Sequence, residues 1–363
     1  MIDREIRIRA REAALDAEDP NAHLRLGLAL LRTGDLDAAR AALLRASELA
    51  PRREAPRAAL REVLAQVAAR DLPTAQGTVA GYATRLLLRS VNDEAPLRTF
   101  VAADLKRMRR VILRLRSYVG RTRPEDWERL AVRLGPTREL RHPNVVGTLD
   151  FQRVLVEHAF GASPRTHEHH VLVSEFLRDP TLDRLIALGP MEPVRVARIL
   201  RQVLLACEAA HRRGLIHRLI SPKKIHVSAE AQQPDLVRVR DFGLALFLGA
   251  HGKGRGLLGS AVLAYAPPEV LVAGPCDARS DLYAAGAIAY AMLGGAPPFR
   301  WDSKRERLRS ILAETPVPLA AAVRAAISPE LEAFVMRLLA REPKLRPASA
   351  REAIDELDSL VPV

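Results

Sequence analysis

Through roughly the first 70 residues, apolar positions recur every three or four places, the period of an amphipathic helix. One helix is predicted over Asn21 to Arg32, broken at Thr33-Gly34-Asp35. A second runs from Leu36 to Leu49 and stops before Pro51. Asp71 to Gly77 ends this period. Beyond it the pattern changes to short strand-like runs: Ala83 to Arg89, Thr99 to Ala103, Arg110 to Leu115 and Val171 to Phe176. After about residue 180 the helical period returns in Glu192 to Arg213, Asp281 to Leu293 and Pro329 to Ala340. A strand-rich half followed by a helix-rich half predicts an α+β domain of two lobes, set behind a helical segment. The longest apolar stretch, Leu282 to Phe299, contains three glycines and ends in Ala296-Pro-Pro-Phe. It is too short and broken to span a bilayer and reads as a core helix.

The first helical pair resembles one tetratricopeptide repeat, on Leu26-Gly27, Leu30, Ala39, Leu43, Ala46 and Pro51. Gly27, Ala39 and Ala46 let two antiparallel helices approach closely, although His23 stands where that family usually has Trp. Ala10 to Pro20 and Pro56 to Ala69 resemble helices of flanking repeats, and the resemblance implies a peptide-binding adaptor. The alternative is a plain helical hairpin that extends the larger domain.

A length of 363 residues predicts two domains. The net charge of +13 does not by itself imply a nucleic-acid partner. Only six of the 56 basic residues are Lys, and the Arg are scattered among 43 acidic residues. Aromatics are 4%, too few to stack bases, so nucleic acid is not an expected partner. One run departs from this: Lys106, Arg107, Arg109, Arg110, Arg114, Arg116, Arg121 and Arg123 have no acidic residue among them. It reads either as an anion-binding surface or as a solvated strand face. The two cysteines, Cys207 and Cys276, exclude a disulfide framework and favour a reducing, cytoplasmic compartment. Cys207 lies on an apolar helical face and is predicted core. The start of the chain has no apolar stretch, which argues against a secretory signal, and no membrane association is expected. His167-Glu-His-His is predicted as a polar loop before a strand rather than a metal site.

An ordered set of motifs from about residue 80 to 360 resembles a protein kinase of the bacterial serine/threonine type. His142-Pro-Asn-Val-Val resembles the turn after the small-lobe helix. Glu175-Phe-Leu177 resembles the hinge, with Ser174 at the gatekeeper position. His217-Arg218 opens the catalytic loop, Asp241-Phe-Gly is the metal-binding triplet, and Pro267-Pro-Glu269 stands for Ala-Pro-Glu. Asp281 and Gly286 resemble the central-helix signature, and Arg346 the usual ion-pair partner of Glu269. The resemblance implies a bilobal kinase-like fold. Residues 1–70 form the helical segment, 71–80 a linker, 81–177 the small lobe and 178–360 the large lobe.

The groups that carry phosphoryl transfer are altered together. Leu219 stands where the family has its catalytic Asp and has no lone pair to accept a proton. Ser221 replaces the loop lysine, and Lys224, a cation, replaces the asparagine that helps hold magnesium. The segment Arg89 to Thr99, in the place of the phosphate loop, has no glycine and carries Asp93, Glu94 and Pro96. Arg114 aligns with the strand lysine. Arg133 aligns with its helix glutamate, a role that Glu128 takes only if the Gly135-Pro136 break shifts the register. Ser260 is the only hydroxyl residue from Leu244 to Ala264.

The expected protein is a pseudokinase acting as a binding, scaffolding or regulatory module. The alternatives are an atypical serine/threonine kinase using another base, and a tetratricopeptide-type adaptor. No cofactor is expected, ATP being admissible only without magnesium. The expected partner is a protein, such as an active kinase or an acidic peptide segment. The residues implied for the degenerate nucleotide pocket are Arg114, Ser174, Glu175, Leu177, Lys224 and Asp241. Those implied for the structural frame are His217, Arg218, Glu269, Asp281 and Arg346. Lys224 is expected to reach Asp241 with a charge-assisted hydrogen bond.

Overall fold

The computed structural model describes residues 2–33, 35–51, 53–56, 58–60, 63, 78–79, 82–88, 97–104, 107, 109–119, 123–160, 163–228, 235–248, 260–272, 274–299, 304–319 and 327–361. The chain divides into two compact units, Met1–Arg89 and Ser90–Val363.

The first unit holds helices α1 (Ile2–Leu15), α2 (Pro20–Thr33) and α3 (Leu36–Leu49). Their starts follow from side-chain caps. Asp19 accepts the Asn21 and Ala22 amides at 2.9 and 3.1 Å, and Asp35 accepts the Ala38 amide at 3.1 Å. A Cβ on Gly27 would collide with the side chain of Leu43, so glycine is what lets α2 and α3 pack around Leu30, Ala39 and Val63. The sequence puts a linker at 71–80. Thr78–Val79 (β1) is instead a strand paired with β2 (Tyr82–Leu88), and residues 71–77 lie outside the described set.

In the second unit, β3 (Leu97–Asp104), β4 (Arg109–Val119), β6 (Ser163–Glu175) and β5 (Thr148–Phe160) form antiparallel neighbours in the order β3-β4-β6-β5. Strand β5 has no counterpart in the sequence reading, and β6 begins earlier than predicted. His167-Glu-His-His therefore lies within β6, not in a loop. Glu168, His169 and His170 are buried, and the Glu168 carboxylate meets the His170 ring. Glu168, with no exposed surface, sits 2.7 Å from His170 Nε2 and 3.4 Å from Arg153 Nε, while the Trp127 ring packs on His170 at 4.7 Å. Helix α4 (Pro124–Glu139) brings in Trp127, with its proline at the tolerated first turn.

The helical lobe comprises α5 (Leu182–Ile186), α6 (Pro193–His211), the β7–β8 ribbon (Ile225–Val227, Val237–Val239), α7 (Leu244–Phe247), α8 (Ser260–Leu263), α9 (Pro268–Leu271), α10 (Ala278–Gly294), α11 (Lys304–Ala313), α12 (Pro329–Leu338) and α13 (Ala350–Leu360). Helix α10 is buried from Ser280 to Leu293 and forms the centre of the core, with Cys207 of α6 among its neighbours in that core. At Gly286 a Cβ would lie 2.6 Å from the Leu338 Cβ, so α12 approaches at a distance only glycine allows. Among the described residues no helix is long and apolar enough to cross a membrane.

One buried ion pair ties α9 to the chain before α13. Arg346 meets the Glu269 carboxylate at 2.7 and 3.0 Å and donates to the carbonyls of Ala340, Arg279 and Arg341. Its guanidinium also lies 4.9 Å over the Tyr283 ring. Arg346→Met leaves Glu269 without its countercharge. The expected loss is about 3–5 kcal/mol, a fall in Tm of roughly 10 °C, measurable by calorimetry. A fall of under about 2 °C contradicts this role.

Candidate active-site cleft

The cleft is built on a loop whose backbone is held by one carboxylate. Asp281, fully buried on α10, accepts the His217 amide at 2.8 Å, the Arg218 amide at 2.7 Å and His211 Nε2 at 2.8 Å. Those bonds hold Arg218 at φ +65°, a left-handed conformation that a side-chain-bearing residue rarely adopts. His217 passes the constraint on: its Nε2 lies 2.9 Å from the Arg240 carbonyl, and its ring meets Phe242 edge-on at 4.7 Å. Burial, and then the neighbouring Lys224 charge, lower the His217 pKa. Asp241, between Arg240 and Phe242, is itself left-handed at φ +76°.

The Asp241 side chain is 3% exposed and ringed by cations. Arg114 Nη2, from the centre of β4, lies 2.7 Å from Oδ1, with the Arg114 side chain only 4% exposed. The contact is short but not aligned as a directed hydrogen bond, so its attraction is ionic. Arg114 also donates to Ser174 Oγ at 3.3 Å. Lys224 Nζ is 3.9 Å from Oδ2 and Arg240 Nε is 4.0 Å away. The sequence makes Lys224 the direct partner through a charge-assisted hydrogen bond. The pair does meet within salt-bridge range, as expected, but too far for a hydrogen bond: Arg114 is the close countercharge, and Lys224 is a longer-range one. Arg114 approaches from the strand with a planar fork of donors, where Lys224 offers a single ammonium from the turn. Burial alone would raise the Asp241 pKa, but Arg114, Arg240 and Lys224 together hold it far below the usual carboxylate range. Burial lowers the Lys224 pKa to about 8, against the opposing pull of Asp241.

The other positions that align with catalytic ones differ in their surroundings. Leu219 is 6% exposed and belongs to the apolar cluster of Leu172, Leu244 and Phe247. Ser221 is buried, and its hydroxyl has no hydrogen-bond partner among the described residues. Glu128 and Arg133 are both exposed on α4, and the carboxylate beside Arg114 belongs to Asp241 rather than to that helix. Residues 89–96, in place of the phosphate loop, lie outside the described set.

Of the six residues implied for the pocket, four come together: Arg114, Ser174, Lys224 and Asp241. Glu175 turns to Arg238 at 3.0 Å instead, and Leu177 is half-buried just past the end of β6. Arg240 was not among the predicted residues, although its place next to Asp241 in Val-Arg-Val-Arg-Asp was a visible signal. The basic run is largely engaged internally. Arg107 and Arg109 reach the buried Asp104 at 3.4 and 3.3 Å, and Arg116 donates to the Phe247 carbonyl at 3.0 Å. Arg110 stacks 5.8 Å over Phe176, while Lys106 and Arg121 lie outside the described residues.

A sheet lobe over a helical lobe, with a loop fixed by Asp281 and a carboxylate at the cleft, defines the two-lobed kinase fold. Residues 121–357 match the protein kinase domain family, and the chain belongs to it. It is 33% identical over 227 residues to the serine/threonine-protein kinase pkn3 of Myxococcus xanthus, covering 61% of this chain and 40% of that protein. It is 38% identical over 185 residues to PknL of Mycobacterium tuberculosis, covering 50% and 45%. The chain thus spans less than half the length of these relatives. Among solved structures it resembles the PknI kinase domain of Mycobacterium tuberculosis (TM-score 0.55, 21% identity, covering 79% of this chain and 99% of that one). It also resembles Rad53 in complex with AMP-PNP (TM-score 0.56, 22% identity, covering 76% and 64%).

The Lys224 environment gives a pH signature. Unfolded, Lys224 keeps its proton to about pH 10.4; folded, it releases it near pH 8. Between those values the unfolded chain binds more protons, so this residue raises stability as pH rises. From pH 7.5 to 9.5 the wild type is expected to gain about 2 kcal/mol relative to Lys224→Met, measured by urea unfolding. Parallel pH profiles for the two proteins contradict the assignment.

Proposed function

We propose that this chain is a catalytically silent member of the kinase family, a pseudokinase whose fold serves as a binding and scaffolding module. The observation that carries the reading is the Arg114–Asp241 ion pair, buried and 2.7 Å long. Magnesium in a kinase is held by that carboxylate, and here a cation of the chain already occupies its field. Leu219 cannot take a proton from an attacking hydroxyl, and it packs in an apolar cluster with Leu172 and Phe247. Any ATP that enters does so without magnesium, its phosphates facing Lys224 and Arg240 and its base the Ser174–Leu177 hinge. The helices of the first unit act as a tetratricopeptide-like cap. The partner we infer is a protein, such as an active kinase or a protein with an acidic segment.

The second reading, an atypical serine/threonine kinase, draws on the 33% and 38% identity to proteins named as such kinases. It requires Asp241 to leave Arg114 before a metal can bind.

Labelled ATP separates the two. Transfer to itself or to generic protein substrates is expected to stay at the no-protein level. Leu219→Asp alone restores nothing, because Ser221 and Lys224 remain. A stoichiometric, time-dependent label that disappears in Asp241→Ala would overturn the proposal.

A further inference from the structure

Cys207 and His211 stand four residues apart on α6, so they share one face of that helix. Asp281 meets them from the first turn of α10. The Cys207 Sγ, a ring nitrogen of His211 and a carboxylate oxygen of Asp281 all lie within 4.8 Å of one another. We propose that these three side chains form a binding site for a zinc-type divalent ion inside the helical lobe. The proposal does not depend on whether the chain transfers phosphate.

Three observations carry it. The first is unused coordinating capacity. The Cys207 thiol has no exposed surface and no hydrogen-bond partner among the described residues. His211 Nδ1 is likewise buried with no partner among them. Asp281 accepts the His217 amide on Oδ2 and the Arg218 amide on Oδ1, so each oxygen keeps a second lone pair. That of Oδ2 is turned to His211 Nε2 at 2.8 Å. The second observation is charge. Asp281 is fully buried, and its ion-pair partner is His211, which carries charge only when protonated. A thiolate and a carboxylate bring two negative charges, and a divalent ion leaves the site neutral in a core where a lone charge is costly. The third is rigidity. Two ligands sit on one helix, and the third is anchored by two backbone amides within the apolar core that α6 and α10 share.

The ion class follows from the donors. One sulfur, one imidazole nitrogen and one carboxylate oxygen suit zinc or cobalt, whereas magnesium and calcium take shells made mainly of oxygen. Bonds of about 2.3 Å to sulfur and 2.0–2.1 Å to nitrogen or oxygen put tetrahedral donors roughly 3.3–3.6 Å apart. The 2.8 Å His211–Asp281 contact therefore opens, and the widest gap, at most 4.8 Å, narrows. Each change is roughly 1 Å or less, within reach of small side-chain rotations. Cys207 binds as the thiolate and releases its proton, and a water takes the fourth position. Both amide bonds to the loop survive, because the ion replaces only the proton between His211 and Asp281. Since Cys207 and Asp281 have no exposed surface, the ion is taken up as the chain folds.

The test is to express the full chain, untagged, in medium supplemented with zinc or with cobalt, and to remove loose metal by gel filtration. Metal per chain is measured by atomic absorption, and the cobalt form is read by its thiolate-to-metal charge-transfer band. Wild type is expected to hold about one ion per chain and to show the band. Cys276→Ser keeps both. Cys207→Ser loses the band, and His211→Gln lowers the metal content at least tenfold. Circular dichroism checks that each variant folds. If Cys207→Ser does not fold, Cys276→Ser still decides, because the chain has only two cysteines and a band that survives there belongs to Cys207. The proposal is overturned if wild type holds less than about half an ion per chain, or if it shows no band. It is also overturned if Cys276→Ser removes the band, or if folded Cys207→Ser or His211→Gln holds as much metal as wild type.

Discussion

Asp241 is a carboxylate with almost no access to water, and burying such a charge is tolerable only beside positive charge. In an active kinase the charge is supplied from outside, by a metal that arrives with the nucleotide. Here the chain supplies it. Arg114 stands 2.7 Å away and cannot be deprotonated in a protein. Lys224 and Arg240 add two further cations at 3.9 and 4.0 Å. One negative and three positive charges leave the cluster net cationic. The state of the cleft therefore follows from one pairing across it, between a strand of the sheet lobe and the loop of the helical lobe.

Two further devices hold the frame around the cleft. Asp281 fixes the loop through two amides and His211, while Glu269 and Arg346 fix the segment before α10. Neither device involves a reacting group. Replacing the base by Leu219 removes a polar atom from the cleft and adds an apolar side chain to a cluster that reaches Leu172 of β6. Leu219 thus shares an apolar cluster with a strand of the sheet lobe. Ser221, buried with an unsatisfied hydroxyl, is the one substitution for which packing offers no physical account.

The legible features were those set by residue identity at fixed spacing. Glu269 and Arg346 lie 77 positions apart, and their meeting follows from the family pattern rather than from periodicity. The Thr33-Gly34-Asp35 break and the α2–α3 pair were readable because Gly27 and the small residues leave a local pattern. What could not be read was which of several cations reaches a given carboxylate. Lys224 sits where the metal ligand should be, but side-chain length and strand position give the close contact to Arg114. Strand β5 and the start of β6 were hidden for a related reason. Glu168 and His170 look like loop residues, yet both are buried: they meet along one strand at 2.7 Å, and half-buried Arg153 reaches Glu168 from the neighbouring strand at 3.4 Å. The basic run looked like an exposed stripe, since the sequence does not show that Asp104 folds back on two of its arginines.

The central claim is that Arg114 closes the metal position at Asp241. The most direct measurement is the affinity of the full chain for ATP by titration calorimetry, with saturating magnesium and with a chelator. The account predicts affinities within about threefold of each other, or no binding in either condition. Magnesium tightening ATP binding by tenfold or more, about 1.4 kcal/mol, and losing that effect in Asp241→Ala, would contradict it.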